Sequence, residues 1–343
     1  MLHMNKKGMG LGLAALGLLG VLPAVSAQDD VFRVAAVAPS AAADLAFSQS
    51  MFDALTLLDE ELGDAFEFTF QEGTFIVDDA AVAMRDWASS GEYDLVIGHG
   101  SQYGAVVEEL AAEFPEVSFA WGTDNNTFGL PNVFAYTAAA EEGGFINGAL
   151  AALLSEAGNI GVVGPIEVGD AKLYVDGFVS GALSVNPDAT VGVNYIQSFS
   201  DVPLATEAAE AFVANGADVL TGSAQMVVGP IAVATDNEVL WFGTQSSQAE
   251  LSAESGVTFQ VYRWDVVLRD IIASLEEGVL GGESYVLTLE NGGLEIEISE
   301  FSGLDETTLA EVEATVATLT EGIIAGDILL LPDMVEATPE AGS

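Results

Sequence analysis

Cysteine is absent from this sequence, histidine occurs twice, and lysine and arginine together occur seven times in 343 residues. Without cysteine there is no disulfide and no thiol to carry a lipid anchor. Lys6 and Lys7 lie in the leader, so Arg33, Arg85, Lys172, Arg263 and Arg269 face 53 aspartates and glutamates. That imbalance excludes nucleic acid and anionic membranes as partners, since both require a basic surface. His99 is the one histidine beyond the leader. A histidine-built metal site needs companions that the chain lacks. A nucleophile triad would have to pair His99 with Ser101 or another serine, and no G-x-S-x-G elbow is present.

Other cofactor signatures are missing as well. Asp124-Asn125-Asn126 opens like a calcium loop, but Phe128 and Ala135 stand where oxygen ligands are required. The glycine-rich turns have neither a Walker lysine nor a G-x-G-x-x-G fingerprint in the right place. No cofactor is expected. Past the leader, no apolar run is long enough to span a bilayer, so the mature chain is not expected to insert in a membrane.

Among the features present, the leader comes first. Lys6 and Lys7 precede an apolar run from Met9 to Leu22, closed by Val25-Ser26-Ala27. That order predicts a secretory signal peptide over residues 1–27 and a periplasmic or extracellular location, without a cysteine-borne lipid anchor. The remaining length suits two domains. The acids are spread along the chain, which reads as a solvated surface suited to saline surroundings.

Short apolar strands then alternate with helical patterns. Val31–Ala38, Phe66–Phe70, Tyr93–Gly98, Val117–Gly122 and Val133–Thr137 read as strands of a first half. Helices fall between them, the first over Ser48–Leu62 with Met51, Leu55, Leu58 and Leu62 in a stripe. The alternation repeats from Glu141 to Gly243. Tyr285–Leu289 and Leu294–Ile298 flank Asn291-Gly292, a hairpin signature, and a helix follows over Glu306–Ile324. The expected fold is α/β, with two doubly wound parallel-sheet lobes. Residues 28–138 with about 262–300 form lobe 1, and 139–261 with about 301–335 form lobe 2. Residues 336–343 read as a disordered tail.

In open parallel sheets, ligands sit beyond the carboxyl ends of strands. The loops to inspect run over 39–49, 98–103, 122–126, 164–170, 197–201, 222–225, 243–247 and 263–265. Nearly all mix small polar residues with an aromatic neighbour, which suits a small polar ligand with a flat portion.

Several segments together resemble one family. Asp44-Leu45-Ala46-Phe47-Ser48-Gln49-Ser50 is similar to D-x-S-F-N-Q-S, and Tyr93-Asp94-Leu95-Val96-Ile97-Gly98 to Y-D-L-I-I-G. Asn186-Pro187-Asp188 and Gly216-Ala217-Asp218-Val219 match N-P-D and G-A-D-V, with Ser198-Phe199-Ser200-Asp201 between them matching S-F-x-D. Their shared order resembles the basic membrane protein family of transporter substrate-binding proteins, which includes purine-nucleoside receptors. The resemblance implies a Venus-flytrap fold of the type I periplasmic-binding-protein kind, its lobes joined by a hinge, with a ligand clasped between them and delivered to ABC permease subunits. It further implies a nucleoside-like ligand whose base stacks between Phe47 and Phe199, with Asp124 matching a family acid.

The chain departs from that pattern in places. Val37 leads into Ala38-Pro39-Ser40 where an acid is expected, Ser48 replaces asparagine, Gln245 stands where aspartate is common, and Arg263 where lysine is. A guanidinium fork does not replace an ammonium unchanged.

The candidate ligand-binding residues are therefore Asp44, Phe47, Ser48, Gln49, His99, Asp124, Phe199, Gln245 and Arg263. Phe47 and Phe199 serve either as stacking rings or as local packing. Asp44 serves either the ligand or the entry to its helix. Arg263 is read as a ligand contact, with an ion pair to Asp265 or Asp124 as the other reading. The expected function is a monomeric, non-enzymatic binding protein of an ABC-type importer. A ligand-presenting sensor subunit and a hydrolase using His99 are the alternatives.

Overall fold

A computed structural model describes residues 31–299 and 303–331. The predicted leader over 1–27 and the tail from 336 lie outside the described residues.

The first half runs β1 (Phe32–Val37), α1 (Phe47–Leu62), β2 (Phe66–Gln71), α2 (Val77–Ser90), β3 (Leu95–His99), α3 (Gly104–Glu113), β4 (Ser118–Gly122) and β5 (Val133–Ala138). The second runs α4 (Ala140–Leu154), β6 (Asn159–Gly164), α5 (Gly169–Val185), β7 (Thr190–Tyr195) and α6 (Val202–Ala214), then β8 (Val219–Gly222), α7 (Val228–Asp236), β9 (Leu240–Gly243) and β10 (Gly256–Tyr262). Four elements close the described chain: α8 (Trp264–Glu276), β11 (Ser284–Leu287), β12 (Leu294–Ile298) and α9 (Glu306–Ile324).

Two six-stranded sheets result, ordered β11-β5-β4-β3-β1-β2 and β12-β10-β9-β8-β6-β7. Every pairing in the first is parallel, and in the second only β12 runs antiparallel, against β10. Central strands β3 and β4 are buried at every position, as parallel strands covered by helices on both faces must be. Met51, Leu55 and Leu58 seat α1 on its sheet, while Leu62, at the end of the expected stripe, is exposed.

The expected hairpin is not formed. β11 joins the first sheet beside β5, and β12 joins the second beside β10. Asn291-Gly292 instead shapes a crossing between lobes. The Asn291 Oδ1 accepts from the backbone of Thr288 and Gly293, and its Nδ2 donates to Val286 O. These bonds make a tight turn without pairing the flanking strands to each other. Residues 294–298, expected in lobe 1, thus extend the second sheet.

Helices α4 and α5 pack with their backbones nearly touching. A Cβ on Gly148 would lie 1.9 Å from Phe178 O, and one on Gly181 would lie 2.0 Å from Phe145 O. Gly144 and Gly177 make the same close approach one turn away on each helix. Only glycine fits there.

Three crossings join the lobes among the described residues: β5 to α4, β10 to α8, and β11 to β12. The lobes also touch directly. The Gln248 side chain donates from Nε2 to Leu45 O at 3.2 Å, and Thr123 Oγ1 lies 3.4 Å from Asp170 Oδ1.

Candidate functional site

Parallel strands deliver their loops to one edge of each sheet, and here the two edges face each other across a cleft. The cleft holds about 640 Å³ of space free of protein atoms, its open mouth included. From the first lobe it is walled by Pro39, Ala46 and Phe47 after β1, Phe75 after β2, Gly100 to Gln102 after β3, and Thr123 after β4. The second lobe supplies Asp170 after β6, Phe199 after β7, Ser223 to Gln225 after β8, Thr244 and Gln245 after β9, and Tyr262 at the end of β10. All but one of the loops picked from the sequence reach the cavity; the exception, 263–265, stops one residue short, at Tyr262.

The lining combines phenylalanine rings from both lobes with one carboxylate. Burial pushes the Asp170 carboxyl above the ordinary aspartate range, and hydrogen bonds from Tyr262, the Ala171 backbone and Thr123 work the other way. Burial likewise raises the Tyr262 phenol well above its usual value, and the neighbouring Asp170 adds to the effect. Together they place a hydrogen-bonded polar pair on a lining that also carries phenylalanine rings.

The model of the ABC transporter substrate-binding protein PnrA-like family matches residues 31–325. The chain belongs to this family. A purine-binding protein of Brucella abortus is 27% identical over 263 residues, covering 77% of this chain and 73% of its own. A Haloferax volcanii protein provisionally named an ABC transporter glucose-binding protein is 25% identical over 287 residues, covering 83% and 70%. Among solved structures, an ABC transporter solute-binding protein of Conexibacter woesei superposes with a TM-score of 0.72 at 23% identity, covering 87% of this chain and 98% of its own.

As a member of this family the protein is an extracytoplasmic substrate-binding component of an ABC importer. Its fold is that of periplasmic binding proteins, with two lobes closing on a small molecule and a permease as partner. Among the described residues no helix is long and apolar enough to cross a membrane.

Within this PnrA-like cleft, the residues singled out from the sequence separate into two groups. Phe47, Phe199 and Gln245 line the cavity. The others stand behind or beside it. Asp44 Oδ1 accepts from the backbone of Ala46 and Gln49 and its Oδ2 from Ser48, so this acid organises the entry to α1. The Ser48 hydroxyl accepts from Ser40 N at 3.1 Å, and Gln49 Oε1 accepts from Leu45 N at 3.0 Å. Both hold the turn that presents Phe47.

His99 lies directly behind that ring. It is fully buried, with its centroid 4.0 Å from that of Phe47 and the planes 8° apart. Its Nδ1 lies 2.8 Å from the Tyr136 hydroxyl and its Nε2 3.3 Å from Phe47 O. Burial depresses its pKa to about 3, so the imidazole is neutral at ordinary pH. It packs flat against the Phe47 ring, and its bonds go to a tyrosine and a backbone carbonyl rather than to a serine.

Asp124 Oδ1 accepts from Asn126 N at 2.8 Å, closing a turn next to the lining residue Thr123. Arg263 does not line the cavity and pairs with Asp265 at 3.1 Å and Glu295 at 2.9 Å.

Sequence reasoning missed Asp170, Tyr262, Gln225 and Phe75 as individual residues. Asp170 and Gln225 fell inside inspected loops without being chosen. An acid in the first turn of a helix reads as a dipole partner, which is how Asp170 sits on α5.

Proposed function

We propose that this protein binds a purine nucleoside or a closely related heterocycle. The observation that carries the reading is the placement of Phe47 and Phe199, one from each lobe, on a single cavity that also holds Asp170. Flat rings contributed by opposing lobes suit a planar base, and a carboxylate suits the hydroxyls of an attached sugar. The purine-binding name of the Brucella abortus relative supports the same reading. The ligand is carried and released unchanged by a single chain with no cysteine-borne lipid anchor.

Titration calorimetry with purine and pyrimidine nucleosides, nucleobases, glucose and ribose tests this directly. A purine nucleoside should bind saturably and be recovered intact, and Phe47→Ala or Phe199→Ala should weaken it by roughly 1–3 kcal/mol. Binding of glucose in preference to every nucleoside, or release of a product, would overturn the assignment.

A further inference from the structure

Two residues on the cavity wall each carry a buried polar atom with no partner. Ser223 is 7% exposed and Gln225 is 9% exposed, and both line the cavity. The Ser223 Oγ and the Gln225 Oε1 are shut off from water without a hydrogen bond to any described residue. A buried polar group in that state carries a desolvation penalty that only a partner relieves, and native proteins keep few of them. The residue between the pair is also unusual. Ala224 has φ +68°, a left-handed conformation that costs a non-glycine residue energy. Both orphans thus project from one strained turn after β8.

That turn is tied to the stacking ring of its own lobe, because Met226 N donates to Phe199 O at 3.0 Å. Phe199 and Gln225 line the same cavity, so one ligand has both on its walls. A carboxamide presents a coplanar acceptor and donor, and a half-turn of the amide exchanges the two. Its natural complement is a heterocycle edge with an adjacent donor and acceptor, such as the amino group and ring nitrogen of adenine. Sugar hydroxyls do not offer that fixed, planar pair.

We propose that Gln225, assisted by Ser223, is the specificity-determining residue that reads the hydrogen-bonding edge of the ligand's base. The proposal rests on the nucleoside reading above and goes beyond it by naming which part of the base is recognised. It accounts for the unpartnered atoms in one step, since the ligand supplies the missing bonds. A ligand without the substituent at C6 leaves the carboxamide half-satisfied in a dry site, and affinity falls.

The test uses adenosine, inosine and purine riboside, which share the sugar and ring system but differ at C6. Affinities are measured by calorimetry for the wild-type protein, for Gln225→Met of similar length, and for Gln225→Leu should the first variant fail to fold. The wild type should bind adenosine or inosine at least about tenfold more tightly than purine riboside. In the variant the three affinities should converge to within about twofold, with purine riboside held as before. Equal affinities in the wild type, or a preference that survives in the variant, would overturn the role of Gln225 while leaving the nucleoside reading intact. Failure of all three to bind the wild type would overturn both.

Discussion

His99 illustrates how one buried side chain sets a pH dependence. Its pKa is held near 3 in the folded protein by burial, against about 6.5 in an unfolded chain. The two states are equally deprotonated above that higher value, so its neutral form costs nothing there. As pH falls below about 6.5 the unfolded chain takes up a proton that the folded protein refuses, and stability is lost down to the folded value. Between pH 7 and pH 5 the loss amounts to about 2 kcal/mol. His99→Gln should remove it. Denaturant titrations of both proteins at the two pH values measure the difference, and parallel behaviour would show that His99 is not protected in this way.

The same scale shows what sequence reasoning resolves. Phe47 was legible because its segment resembles the family's, and in the structure it lines the cleft with its ring centroid 6.1 Å from that of Trp264. Asp44, Ser48 and Gln49 were not separable from it. Hydrogen-bonding side chains that organise a helix entry are the same types that hold a polar ligand, and only their partners tell the two apart.

Among elements, the α4–α5 pair carries a sharper signal than its composition suggests. Four glycines are placed so that each helix presents two of them to the other's backbone. Gly148→Ala puts a methyl 1.9 Å from a carbonyl oxygen that belongs to helix backbone and cannot swing aside. The helices must separate, and a loss of about 2 kcal/mol or more is expected. Thermal or urea unfolding of the variant reads this, and a neutral or stabilising effect would refute the close packing. Strand and helix order was legible because period and length distinguish these elements. The partners of β11 and β12 were not. An Asn-Gly turn between alternating segments is compatible with a hairpin and with a crossing, and the choice depends on vacant edges of two sheets far away in sequence.

At the scale of the whole molecule, charge outweighs pairing. Each of the five cations from Arg33 onward touches a carboxylate, including Arg85 with Glu109 and Glu113, Lys172 with Asp176, and Arg269 with Glu61. Such partly exposed pairs contribute about 0–1 kcal/mol each and weaken in salt. The formal net charge of −46 works against compactness through mutual repulsion, which salt also screens. Repulsion dominates because most of the acids have no cation to meet. The melting temperature should therefore rise as potassium chloride goes from about 0.1 M to about 1 M. A flat or falling melting curve would mean that the few pairs, not the surplus acids, govern stability.

The three crossings bear on the order in which the molecule is built. β11 completes the first sheet but follows all of β6–β10 in the chain, and β12 completes the second only afterwards. Synthesis proceeds from the N-terminus, so a nascent chain that has delivered β1–β5 holds a sheet with the β5 edge still open. The first lobe receives its last strand only when residue 287 has been made, after the second lobe's five parallel strands. Neither half is a finished sheet on its own stretch of chain, and a truncation before β12 leaves β10 without its antiparallel partner.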